Sequence, residues 1–155
     1  MGQIIEFQSN GKMASGYVAE PSSLKGGVIV LQEWWGLNDH IKGLCDRFAE
    51  QGYLSLAPDM YDGQIAAEPD EAGKLMMALD IAQSAKKLNG AVNYLIEKTA
   101  KPIGTVGFCM GGALSLFAAC NEGDRVAACV DFYGIHPAIE YNWENLSAPV
   151  LGLFA

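Results

Sequence analysis

Cys109 lies in Gly107-Phe108-Cys109-Met110-Gly111-Gly112, between an apolar run, Ile103 to Phe108, and an apolar helical pattern, Ala113 to Ala119. These flanks predict a strand, a one-residue corner and a helix. The spacing is G-x-C-x-G, the nucleophile-elbow pattern with cysteine where serine is more usual. The central residue of such a corner has a strained backbone, so its neighbours two positions away must be nearly free of side chain. Gly107 and Gly111 meet that need, and Gly112 lets the helix pack close to the strand. The thiol then stands at the carboxyl edge of a sheet and the amino end of a helix, where anions are stabilised. Cys109 is therefore a candidate thiolate nucleophile. The plain alternative is a tight turn around a buried structural cysteine. The hexapeptide is no dinucleotide fingerprint, and it has no lysine for a phosphate-binding loop.

The elements that must position this corner come from a chain of 155 residues, long enough for one domain with a real core. Half of the residues are hydrophobic, which fits a globular interior rather than disorder. The net charge of −8 argues against nucleic acid and against an anionic membrane surface as partners, since both call for basic patches. The start, Met1 to Glu6, lacks the basic flank and long apolar run of a signal peptide, and Glu6 breaks the myristoylation pattern that Gly2 invites. No run of about 18 apolar residues offers a membrane span. Cys45, Cys109, Cys120 and Cys129 show neither C-x-x-C pairing nor metal-ligand spacing. Reduced thiols in a cytoplasmic protein are expected, with three of the four acting as small core residues.

Gln3 to Gln8 and Met13 to Ala19 read as an antiparallel hairpin at one sheet edge, turning at Asn10-Gly11. Gly27 to Gln32 reads as a strand buried on both faces, with Glu33-Trp34-Trp35-Gly36 at its carboxyl end. Asn38 or Asp39 can cap a helix in which Ile41, Leu44, Cys45, Phe48 and Ala49 share a face. Tyr53 to Ala57 is the next strand, followed by a loop from Asp59 to Glu68. Pro69 opens a long helical stretch to about Lys98, weakened at Asn89-Gly90, where a bend or break is expected. After the elbow, Val126 to Tyr133 and Pro149 to Ala155 read as strands, with an irregular stretch between them. Strands alternating with helices predict an α/β fold with a doubly wound, mostly parallel sheet. Function in such sheets gathers at the carboxyl ends of the strands. Glu33, Asp59, Cys109 and Tyr133-Gly134 all fall there.

The combination of Val30-Leu31-Gln32-Glu33-Trp34-Trp35-Gly36, Gln51-Gly52-Tyr53, Ala57-Pro58-Asp59-Met60-Tyr61, Gly104 to Gly112 and Phe132-Tyr133-Gly134 resembles the dienelactone hydrolase family, cysteine-nucleophile members of the α/β-hydrolase superfamily. The resemblance covers nearly the whole chain. It implies hydrolysis of a lactone or small ester through an acyl-thiol intermediate, with no cofactor. It implies Cys109 as nucleophile and Glu33 as the carboxylate that contacts the resting thiol and helps activate it. The implied oxyanion hole is two backbone N–H groups, those of Trp34 and Met110, aimed at charge that develops in the transition state. Trp35 and Tyr61 are implied pocket-lining residues, with ordinary packing under loops as the alternative.

The family triad runs Cys, Asp, His. Its Asp follows the strand that here is Pro149 to Ala155, and its His comes later, so the resemblance places both beyond Ala155. On this reading residues 1–155 are a single α/β-hydrolase domain lacking its last strand and last helix, and inactive alone. The basic residue that the family uses for a substrate carboxylate is not evident in Asp62-Gly63-Gln64-Ile65. His136 and His40 read as solvated or loop-packing residues rather than as the base. Two other readings stay open: a non-catalytic α/β module that binds a small acid or a partner chain, and a redox-sensing thiol at Cys109. Without a neighbouring strand, Val150, Leu151, Leu153 and Phe154 would form an apolar edge that invites a complementing chain or self-association.

Overall fold

The computed structural model describes all of residues 1–155. Its centre is a seven-stranded sheet of β1 (Gln3–Ser9), β2 (Lys12–Ala19), β3 (Gly26–Leu31), β4 (Tyr53–Pro58), β5 (Ile103–Phe108), β6 (Val126–Phe132) and β7 (Val150–Leu153), in the order β1-β2-β4-β3-β5-β6-β7. Strands β4, β3, β5, β6 and β7 run parallel. The β1–β2 hairpin adds to β4 antiparallel, at the edge expected of it. Asn10 and Gly11 both have positive φ, 50° and 80°, as a two-residue turn matched to strand twist requires.

The sheet is wound on both faces. In β3 the side chains alternate: Ile29 and Leu31 enter one core, Val28 and Val30 the other. Helix α1 (Asp39–Glu50) covers the Val28 and Val30 face with Ile41 and Cys45. Asn38 caps it by accepting the Ile41 N–H at 3.2 Å. Helices α3 (Ile81–Thr99) and α4 (Met110–Glu122) cover the other face with Leu88, Val92, Leu95, Leu114 and Phe117. That face holds 24 buried hydrophobic residues against 9 under α1, because two helices shield it rather than one.

The long helical stretch departs from expectation in one respect. It breaks at Leu79 and Asp80, not at Asn89-Gly90, giving α2 (Pro69–Ala78) and a separate α3. Asp80 starts the new helix by accepting the Gln83 N–H at 3.0 Å, and its carbonyl takes the Ser84 hydroxyl at 2.8 Å. Gly90 serves a close approach instead. A Cβ there would stand 2.6 Å from the Gln8 carbonyl oxygen and 2.9 Å from the Ser9 Cα, so the glycine lets α3 cross the end of β1. The stretch after β6 is irregular as expected, apart from a short 3-10 turn at Trp143–Asn145. β7 pairs on one side only, and its four residues are exposed.

Candidate active site

Cys109 occupies the corner between β5 and α4 with φ 54° and ψ −125°, a conformation rare for a residue with a side chain. The surrounding backbone holds it there. Its N–H donates to the Phe132 carbonyl at the end of β6 (3.0 Å), and its carbonyl accepts from Gly112 N–H at 2.9 Å and Ala113 N–H at 3.3 Å. The glycines are dictated by space. A Cβ on Gly107 would lie 2.0 Å from the Gly111 carbonyl oxygen, and one on Gly111 would lie 2.3 Å from that of Leu31. A Cβ on Gly112 would meet Asp131 Oδ1 at 2.3 Å and the Phe132 carbonyl oxygen at 2.8 Å. The Cys109 residue is partly exposed, whereas Cys45, Cys120 and Cys129 are buried. The first N–H groups of α4, Met110 among them, have no intrahelical acceptor and form the amino end behind the thiol.

Glu33, Trp34 and Trp35 follow β3 at the same sheet edge and are all half-buried. Two ties fix their loop. The Ala66 N–H donates to the Trp35 carbonyl at 2.9 Å, and Gly36, with φ 103°, lies so near the Gln64 carbonyl that a Cβ would be 2.5 Å from it. The two indoles meet edge to face at 5.3 Å. Helix α2 rests on this loop: a Cβ on Gly73 would be 3.9 Å from the Trp34 ring.

Tyr61 closes the next side. It is buried, and its hydroxyl donates to the Met110 sulfur at 3.2 Å, beside the thiol. Burial pushes the phenol well above its ordinary value, and the Cys109 charge adds to that push. Asp59 holds the turn by accepting the N–H groups of Tyr61 (3.0 Å) and Gly63 (2.7 Å). Of the residues singled out in the sequence, Cys109, Met110 and Tyr61 are thus brought into direct proximity. Glu33 and Trp34 reach the same edge from β3, but the Glu33 carboxylate and the Cys109 thiol share no hydrogen bond. Trp35 is tied to the loop at Ala66 and to Trp34, as a packing residue would be.

Neither histidine faces the thiol through a hydrogen bond. His136 is buried, with Nδ1 accepting the Ala138 N–H at 3.2 Å and Nε2 paired with the Met76 carbonyl at 3.0 Å. Since Nδ1 accepts, the proton sits on Nε2, and both ring nitrogens are used in holding loop to helix. His40 is exposed in the first turn of α1.

Three further residues shape this edge. Tyr133 follows β6 with φ 44°, and its phenol is raised first by partial burial and then by the charges of Glu33 and Cys109. Asp131 is buried and fixes the bend after β6 by accepting the Gly134 N–H at 2.8 Å. Burial raises its carboxyl above the usual range, with that bond opposing the shift. Gln32 is fully buried and accepts the Met60 N–H at 3.0 Å, which ties β3 to the Tyr61 loop. Only the Tyr133-Gly134 pair at a strand end hinted at this in the sequence.

The pattern of the "Dienelactone hydrolase family" matches residues 14–155. The chain is 40% identical over 164 residues to "Protein usf" of Aquifex pyrophilus, covering all of this chain and 71% of that one. It is 36% identical to the "Putative carboxymethylenebutenolidase" of Aquifex aeolicus, again with 100% and 71% covered. Among solved structures, the "Putative Dienelactone Hydrolase" of Klebsiella pneumoniae superposes with a TM-score of 0.80 at 28% identity, over 98% of this chain and 72% of that one. No helix of the present structure is long and apolar enough to cross a membrane. With an elbow at the carboxyl edge of a mostly parallel sheet, and a family match over all but the first 13 residues, the chain belongs to the dienelactone hydrolase family, whose fold is that of the α/β-hydrolases.

Proposed function

We propose that this protein hydrolyses a lactone or small ester through an acyl-Cys109 intermediate. The observation that carries the reading is the conformation of Cys109, φ 54° and ψ −125°, held between β5 and α4 by bonds to β6. A buried structural cysteine has no use for such strain.

The thiolate attacks the ester carbonyl carbon. A C–S bond forms, and the carbonyl π electrons move to oxygen. Backbone N–H groups of Trp34 and Met110 hold the resulting oxyanion. Collapse breaks the C–O bond, the leaving alkoxide takes a proton, and water then cleaves the thioester to release the acid and regenerate the thiol. Glu33 stands by the resting thiol and takes part in its activation, while Trp35 and Tyr61 line the substrate pocket. The base that serves thiol and water, and the Asp that orients it, lie outside residues 1–155. The engagement of both His136 ring nitrogens supports this assignment. No cofactor enters the scheme, and four unpaired cysteines suit a reducing cytoplasm.

The protein extended past Ala155, mixed with p-nitrophenyl acetate and quenched, is expected to carry one acetyl group on the Cys109 peptide. Acetylation elsewhere, or none while the ester is consumed, overturns the reading. Residues 1–155 alone are expected to be inactive and to self-associate through β7, where Leu151 and Phe154 are 55% and 67% exposed, unless a complementing chain covers the edge. Light scattering showing an active monomer of this fragment would defeat that part.

A further inference from the structure

A cavity of about 450 Å³ is lined in part by Tyr61, whose hydroxyl donates to the Met110 sulfur. It is framed by the β1–β2 turn, the Met60–Gln64 loop, the end of α2 and the first turns of α3. None of Cys109, Glu33, Trp34, Trp35 and Met110 lines it. Its size falls in the range of about 300–1,000 Å³ usual for small-molecule sites.

The lining has a definite chemistry. Met60, Leu75 and Leu79 supply an apolar floor. The two acids in the wall are engaged: Asp62 pairs with Lys87 at 2.6 Å, and Asp80 caps α3. Lys87 also donates to the Asp59 carbonyl at 2.6 Å. Lys12 and Lys86, by contrast, have no ion pair or side-chain hydrogen bond within the chain. Lys12 opens β2 and Lys86 lies on α3, and the hairpin that carries Lys12 is fastened to α3 through β1. The Ser9 hydroxyl donates to the Lys86 carbonyl at 3.0 Å, and Gly90 admits β1 against α3 just beyond. Lys12 and Lys86 are both exposed and line one cavity with Met60, Leu75 and Leu79, in a chain whose net charge is −8.

We propose that this cavity binds a small organic acid, its apolar body on Met60, Leu75 and Leu79 and its carboxylate at Lys12 and Lys86. The inference does not rest on the hydrolase reading, since Tyr61 is the one residue the two share.

The test uses the full chain carrying Cys109→Ala, so that no ester chemistry intervenes. The probe is 4-phenylbutyrate, followed by calorimetry and by amide NMR shifts, with 4-phenylbutan-1-ol as its uncharged counterpart. One site is expected, with shifts centred on Lys12 to Ala14, Met60 and Leu79, and the alcohol should bind about tenfold more weakly. Lys12→Glu with Lys86→Glu should weaken the acid about tenfold or more, while Lys25→Glu with Lys98→Glu, the same change in net charge, should leave it within about twofold. Equal affinity for acid and alcohol, equal effects of the two double variants, shifts centred on Trp34 and Met110, or no binding would each overturn the proposal.

Discussion

Cys109 and Cys45 have the same side chain in opposite settings. Cys45 sits on α1 and is closed in by the core under that helix, with 0% exposure. Burial pushes its thiol up to about 12; a bond from Ser55 opposes the shift, and the nearby Asp46 charge adds to it. Cys109 sits at a strained corner, partly exposed, at the amino end of a helix. The residue type is thus no guide to chemistry. Backbone conformation, access and the direction of the nearest helix divide an inert thiol from a candidate nucleophile.

The contrast breaks most severely if Cys109 is not the reacting group. Cys109→Ala in the full protein is expected to lower ester turnover by at least about 10³-fold, with Cys45→Ala retaining turnover within a few-fold; steady-state rates on p-nitrophenyl acetate decide it. The next effect belongs to Cys45. Its folded pKa lies above the unfolded one, so its contribution to stability is complete below about pH 9 and is lost as pH rises through about 12. A shift from 9.0 to about 12 corresponds to a loss on the order of 4 kcal/mol across that window. Urea unfolding at stepped pH should show the steep fall in the parent and a shallower one in Cys45→Ala.

A smaller effect concerns access. Iodoacetamide should modify Cys109 about 100-fold faster than Cys45, Cys120 or Cys129 in the native state, as peptide mapping of a time course would show; four equal rates would erase the distinction. The smallest concerns the neighbouring carboxylate. If the Glu33 carboxylate abuts the thiol, Glu33→Gln should change the pH dependence of Cys109 alkylation. A superimposable pH profile would separate Glu33 from the thiol.

Much of this was legible because it is local. Gly107, Gly111 and Gly112 announce a corner because no side chain fits there, and the continuous apolar run Val28 to Leu31 announces a strand buried on both faces. The break at Leu79 and Asp80 was missed because Asn89-Gly90 is the weaker helix former by propensity. Tertiary contact overrides propensity there: Gly90 is needed where β1 crosses, and Asp80 supplies the cap. Asp131 and the contact made by Gln32 were missed for a related reason. Gln32 reaches Met60 across 28 residues, and Asp131 bonds Gly134 across a bend that no residue spacing announces.

The strand order carries a consequence for how the protein can be assembled as it is synthesised. The β1–β2 hairpin must wait, because β4 separates it from β3; once β4 emerges, it joins both. From then on every strand docks at a free margin of what already exists: β5 on β3, β6 on β5, β7 on β6. No later strand has to be threaded between earlier ones. The corner at Cys109 can be complete once β6 has docked, because that strand brings the Phe132 carbonyl to the Cys109 amide. The Cys109 corner is therefore shaped by the part of the chain that leaves the ribosome before β7, and the growing margin stays unpaired on one side at each stage.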